Sequence, residues 1–468
     1  MARTVFACAA LAVFALPCRA DQATSEGETL IRLTVDPAAV PTPALRYMLL
    51  PQLKEMNPGN PIQGYLKCFM EEQKFFFDKE SYQRREKLLV MPLKELPARE
   101  LNDYGGLALK QADWAARLDN PDWQILLNMK AEGIFVPIPD VHELRPLASA
   151  LKVRLRAEVA LGRFDDALRT AKTMFAMSRH LGEHPTFVGN LIGVAIANLA
   201  IGPLEEMLEQ PGCPNLYWAL TNLPNPLVSL ETAMQGERVG MIQWVFRDLD
   251  DGTAMSPDRL NSLIADLDKL FKREFSLKLT EGLRAWLGAR TKDEGMVVAA
   301  RRRLVEVGLS EVQVRLFPAE QVMLLDMKRG IEVRFDDAIK TTNLPVWQAE
   351  TVTNGHKPPD DLPTLFDEFV PAVGTTVRTR TRLDQRIALL RHVEALRLYA
   401  AEHGGSLPAK LSDVMVPLPD DPFTGKPFRY EITGNTAHLR GTPPSAEAKN
   451  PSYNLHYEVT LRKSGNVP

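Results

Sequence analysis

The chain lacks the short patterns on which enzyme chemistry most often hangs. It has no GxSxG, HExxH, Walker-type or GxGxxG sequence, so neither an exposed nucleophilic serine, a helical zinc pair nor a phosphate cradle is signalled. An enzyme whose groups converge only in space stays open. Cysteine is scarce, 4 in 468 residues, and no CxxC pair is present to hold zinc. An excess of positive charge is also missing. The net charge of −3 offers no basic footprint for nucleic acid. Past the first twenty residues no stretch reaches 18 uncharged apolar residues, so no later segment reads as a membrane span.

What is present is ordinary globular material, with 45% hydrophobic and 25% charged residues. The length suggests two or three domains. At the start, Arg3 precedes the apolar stretch "VFACAALAVFAL", and "CRA" sets small residues at Cys18 and Ala20. This predicts a signal peptide over 1–20, cleaved before Asp21, with an uncleaved anchor as the alternative, and an exported protein, periplasmic or extracellular. Cleavage removes Arg3 and Arg19 and leaves the mature chain more acidic. It also removes Cys8 and Cys18. Cys68 and Cys213 then remain, either as two buried thiols or as a disulfide worth about 4 kcal/mol for so long a loop.

Residues 21–60 read as an extended, irregular segment, and residues 61–345 as an α-helical body. In "ALKVRLRAEVALGRFDDALRTAKTMFAMSRHLGEHP", Leu151, Leu155 and Val159 form one stripe, Gly162 a stop, and Phe164, Ala167, Leu168, Ala171 and Phe175 a second stripe. The short turn requires an antiparallel hairpin. "GRFDDAL" resembles the inter-helix stretch of a tetratricopeptide repeat, although the full period is not evident. Gly189, Gly193 and Ala197 give a smooth helix face. Ser256 and Pro257 start an amphipathic helix carrying Leu260, Leu263, Ile264, Leu267 and Phe271. Asn120-Pro121 reads as the start of another helix. The tryptophans Trp114, Trp123, Trp218, Trp244 and Trp286 fall in helical segments and are expected in the core.

Residues 346–378 read as a proline-rich connection. Over 379–468 a long helix with Leu389, Val393, Leu396 and Ala400 on one side leads to a short antiparallel sheet. The hairpin in that sheet turns at "TGNT", and "YNLHYEVTLR" is its third strand. The fold class expected is thus mainly α, an antiparallel helical-hairpin body with a small C-terminal α+β module.

Within this module, Leu398-Tyr399, Gly404, Leu407-Pro408, Leu411, Asp421-Pro422-Phe423, Gly425, Pro427-Phe428 and Tyr430 stand in a recognisable order. The stretch resembles the soluble part of type II secretion pseudopilins. No prepilin cleavage sequence accompanies it and the helix is charged, so only the small α+β module carries over. Secreted bacterial envelope proteins with helical bodies ending in such a module are what the whole chain most resembles. "DDPFTGKPFRY" itself reads as a structural turn, because Asp-Pro favours a turn and Gly425 can take positive φ.

His180 and His184 are spaced to share a metal, but Leu181 stands where a protease motif needs glutamate, and Pro185 ends the helix near them. Solvated helix-end histidines are the better reading, and His392 and His403 are read likewise. Asp165-Asp166, Asp248, Asp250, Asp251 and Asp360-Asp361 read as caps or turns, and "ARRRL" over 300–304 as a charged helix face. No catalytic residue, metal or cofactor is therefore expected. The function expected is that of a non-enzymatic exported protein that binds protein partners or scaffolds a cell-envelope assembly. The alternatives are an envelope hydrolase with a spatially assembled site, metal-dependent through His180 and His184, and an accessory protein of secretion machinery.

Overall fold

A computed structural model describes residues 23–25, 27–274, 282–353 and 369–462. The proposed signal peptide and the Asp360-Asp361 pair lie outside them. Numbering the helices of eight or more residues among the described residues, α1 is Pro61–Glu71, α2 Lys79–Val90, α3 Gly106–Ala115 and α4 Pro139–Ala160. Helix α5 is Phe164–Gly182, α6 Phe187–Leu208, α7 Pro257–Glu274 and α8 Gly282–Thr291. Helix α9 is Glu294–Glu306, α10 Ala319–Lys340, α11 Val346–Thr353 and α12 Phe369–Glu402. The strands are β1 Ala23–Ser25, β2 Glu28–Val35, β3 Arg429–Thr433, β4 Thr436–Arg440 and β5 Leu455–Leu461.

The mainly helical class with a small α+β module holds. Helices α4 and α5 form the expected hairpin, turning at Gly162 with φ +69°, and Leu151, Leu155 and Val159 are all buried. Helix α6 packs on both. Its small residues permit the approach: a Cβ on Gly193 would stand 2.8 Å from Ser178 O, and one on Gly189 2.4 Å from the His184 ring. Helix α7 starts after Ser256 with Pro257 at its first position, and its five expected apolar residues are buried. The start at Asn120-Pro121 does not hold, because the helix there runs only Leu126–Glu132. Gln124, at φ +52°, breaks the intervening segment.

Three further expectations change. The N-terminal segment is not merely irregular: it supplies β1 and β2, and β2 pairs parallel with β5 from Thr29–Leu455 to Val35–Leu461. The sheet is accordingly mixed, in the order β1-β2-β5-β4-β3, rather than antiparallel. Part of the supposed connection is helical, since α11 occupies 346–353 and α12 begins at Phe369, ten residues before the expected module. Pro371 is accommodated there because the first turn of a helix needs no N–H partner.

The cores also cut across the expected division into body and module. One core joins Ile31, Leu33 and Val35 of β2, Leu389, Val393 and Leu396 of α12 and Tyr457 and Val459 of β5 to the α4–α6 bundle. A second gathers α7–α10 with Phe423 and Tyr453. The physical reason is the sheet's one apolar face, which can be covered only by helices. Of the five tryptophans expected in the core only Trp123 is buried, and Trp114 is 47% exposed.

Candidate functional site

Where the helical bundle meets the sheet, charged side chains are buried in pairs. Glu205 on α6 takes two hydrogen bonds from Arg386 of α12, at 2.7 and 3.0 Å, and one from the Tyr457 hydroxyl of β5 at 2.5 Å. Beside it Glu206 is gripped by Arg156 of α4 through two 2.8 Å bonds. On α12, Arg397 reaches Glu394 at 2.9 Å and donates to the carbonyl of Cys213. Burial without a counter-charge would cost several kcal/mol, so each group is matched. These groups fasten the helices, the sheet and the Cys213 loop together.

The histidine pair weighed as metal ligands, His180 and His184, is drawn into similar structural duty. The His180 Nδ1 lies 2.9 Å from the Tyr65 hydroxyl, and its carbonyl accepts from the Trp123 indole. Burial pushes the His180 imidazole down to about 3. His184 lies beyond the end of α5, with Nδ1 2.8 Å from the hydroxyl of Thr186, the residue capping α6. His184 is buried, as is His392, and His180 is half-buried, so the freely solvated reading fails for all three. The reason is the close approach of α6, whose glycine face closes over the end of α5. His403 alone matches the solvated reading, stacked on Tyr399.

Cys68 and Cys213 are separate buried thiols, not a disulfide. Their sulfurs donate to Gly64 O and Pro214 O. Burial raises the Cys213 thiol to about 12, which suppresses the thiolate and its reactivity.

The Asp420–Tyr430 stretch is a turn, and a dense one. The Asp421 carboxylate is buried and accepts from Phe423 N at 3.0 Å, Thr442 N at 2.7 Å and the Gln385 amide at 3.0 Å. Burial raises its pKa despite these donors. Gly425 takes φ +62° under the Trp347 ring, where a Cβ would come within 2.4 Å. Asp420, by contrast, is exposed. The "ARRRL" face resolves into ion pairs, Arg303 with Asp326 at 2.6 Å and Arg302 with Glu306 at 3.6 Å.

The arrangement with most chemical capacity was not anticipated. Pleating sends Tyr457 and Val459 to the core and His456 and Glu458 to the outer face of β5. The register sets His438 of β4 opposite Glu458, and Arg440 opposite His456. The His438 Nδ1 and the His456 Nε2 stand 3.1 Å apart, and Glu458 Oε1 lies 3.8 Å from His438 Nδ1. Among the described residues these three offer ligand atoms all within 4.8 Å of one another. Behind them Glu28 of β2 meets the His456 Nδ1 at 3.1 Å, and Arg32 of β2 holds the other oxygen of Glu458 at 2.9 Å. Burial, then Arg440, lowers the pKa of His456 and favours its neutral form. The sequence did carry a partial signal: "HYE" in a strand puts a histidine and a glutamate on one face. The cross-strand partner depends on a register that spacing alone does not supply.

Comparison with protein-family models, curated proteins and solved structures found no match.

Proposed function

We propose that the mature chain is a non-enzymatic, exported component of the cell envelope that binds a protein partner. The supporting observation is a stripe of large apolar side chains on the outer side of α1 and α3. The two helices run antiparallel in close contact, with Gly64 against Ala115 and Gln111 donating to Gly64 O. Outside this seam Met70 is 82% exposed, Leu107 66% and Trp114 47%, with Phe77 exposed nearby. Aromatic and long apolar side chains left in water together are characteristic of recognition surfaces. The partner suited to this stripe is a protein presenting apolar side chains of its own.

A photo-crosslinking residue at position 107 or 114, introduced into the protein in living cells, tests this. A discrete adduct from these positions, absent from a control at Thr433 on the far sheet edge and reduced by Met70→Glu, is the expected result. Adducts of equal pattern from the control position, or none from any, would defeat the reading.

A further inference from the structure

The outer face of the sheet carries a second site, independent of the apolar stripe. We propose that His438, His456 and Glu458 bind one divalent transition ion of the zinc class. The inference rests on convergence. In a tetrahedral zinc site with ligand distances of about 2.0–2.1 Å, two nitrogens lie about 3.3 Å apart. The two imidazole nitrogens here stand 3.1 Å apart, and the carboxylate oxygen 3.8 Å from one of them. The two nitrogens thus already stand near the tetrahedral spacing, and with all three ligand atoms within 4.8 Å of one another the Glu458 carboxylate closes on them by side-chain rotation.

The surroundings supply what a metal-binding imidazole requires. A carboxylate can only accept, so the contact of Glu28 with the His456 Nδ1 places the proton on that nitrogen and leaves a lone pair on Nε2. Glu28 thus stands where a second carboxylate commonly orients a ligating histidine. Arg32 engages only Oε2 of Glu458 and leaves Oε1 turned to the two rings. In the metal-free chain the His438 Nδ1–H donates to His456 Nε2. On binding, His438 changes tautomer: Nδ1 gives its proton to solvent, Nε2 takes one up from solvent, and the neutral ring ligates through Nδ1 with no net proton release. Two imidazoles and one carboxylate suit zinc, cobalt or nickel, whereas calcium and magnesium require oxygen donors. The histidines and glutamate lie on the central strand and its neighbour, a rigid base that needs little reorganisation. Three protein ligands on a sheet face leave a fourth position for water.

Full-length mature protein, freed of metal and titrated with Co²⁺ alone, provides the test, because cobalt reports tetrahedral coordination by its visible spectrum. One ion per chain with such bands, displaced by Zn²⁺, is expected. His438→Ala and Glu458→Gln should each weaken binding at least 10-fold, and Glu28→Gln 10- to 100-fold. His403→Ala, on an exposed helix end, should leave it unchanged. Far-ultraviolet circular dichroism establishes that each variant is folded, and His438, on the solvent side of β4, is chosen because its loss removes little core contact. Failure of the wild-type protein to bind, or binding that survives both His438→Ala and Glu458→Gln in folded protein, would overturn the proposal.

Discussion

Asp421 shows how a single carboxylate can organise a loop. Replacing it with alanine leaves the amides of Phe423 and Thr442 and the Gln385 side chain without their acceptor. Each buried orphan costs about 1–3 kcal/mol, so Asp421→Ala should lower stability by roughly 3 kcal/mol or more, read from the urea midpoint. Asp421→Asn, which retains an acceptor oxygen, should cost less. His392 allows a prediction about acid. Its ring lies edge-on to Phe428, and burial pushes it down to about 4 from an ordinary 6.5. The unfolded chain therefore takes up this proton first, so the contribution is full above pH 6.5 and is lost as pH falls towards 4. The loss is on the order of 3 kcal/mol at the acid end. Asp384, pushed up to about 6 by burial, acts in the opposite sense, stabilising below about pH 4 and losing that contribution as pH rises through 6. Comparison with a variant isolates the histidine. Between pH 7 and pH 4, His392→Leu should lose less stability than the parent in urea titrations.

Among the elements, α6 is the one whose composition most directly dictates its packing. Ser178 donates to the Gly193 carbonyl at 2.7 Å, an approach possible only without a side chain at 193. Gly193→Val should cost about 2–3 kcal/mol through overpacking, again by urea unfolding, whereas Gly288→Ala, where a Cβ meets nothing, should be neutral. This is also the scale at which the sequence was most legible. Apolar periodicity located α4, α5, α7 and the long α12, because a helix declares its buried face within a few turns. Glycine and proline located the turns at Gly162 and Gly425 for the same local reason. What escaped was everything set by distant partners. Nothing near "ETLIRLTV" in the chain announces that it will lie beside Leu455–Leu461, and the burial of His184 is caused by a helix that follows it. The histidine–glutamate cluster belongs to this second kind: its residue types were visible on β5, and its third member arrives only through pairing with β4.

At the scale of the whole molecule the decisive arrangement is the meeting of the two ends. Strand β2 lies between β1 and β5, and Arg32 and Thr29 bond residues more than four hundred positions away. If export proceeds as proposed, mass spectrometry of the mature protein should find Asp21 first, with β1 and β2 retained. A chain stopped after residue 454 lacks β5, leaving β2 and β4 without their shared neighbour. It should show the sheet and the outer side of α12 cleaved rapidly in limited proteolysis, while the α7–α10 region, with its own core, persists.

Vectorial synthesis gives this closure a temporal meaning. Strand β2 is made more than four hundred residues before β5, so during synthesis it can pair only with β1 until residues 455–461 emerge. If export proceeds as proposed, a polypeptide threaded through a narrow conduit gains from such a delay. The clasp between β2 and β4 is withheld until β5 has been delivered, and a product cut short before it advertises its incompleteness to proteases by two bare strand edges.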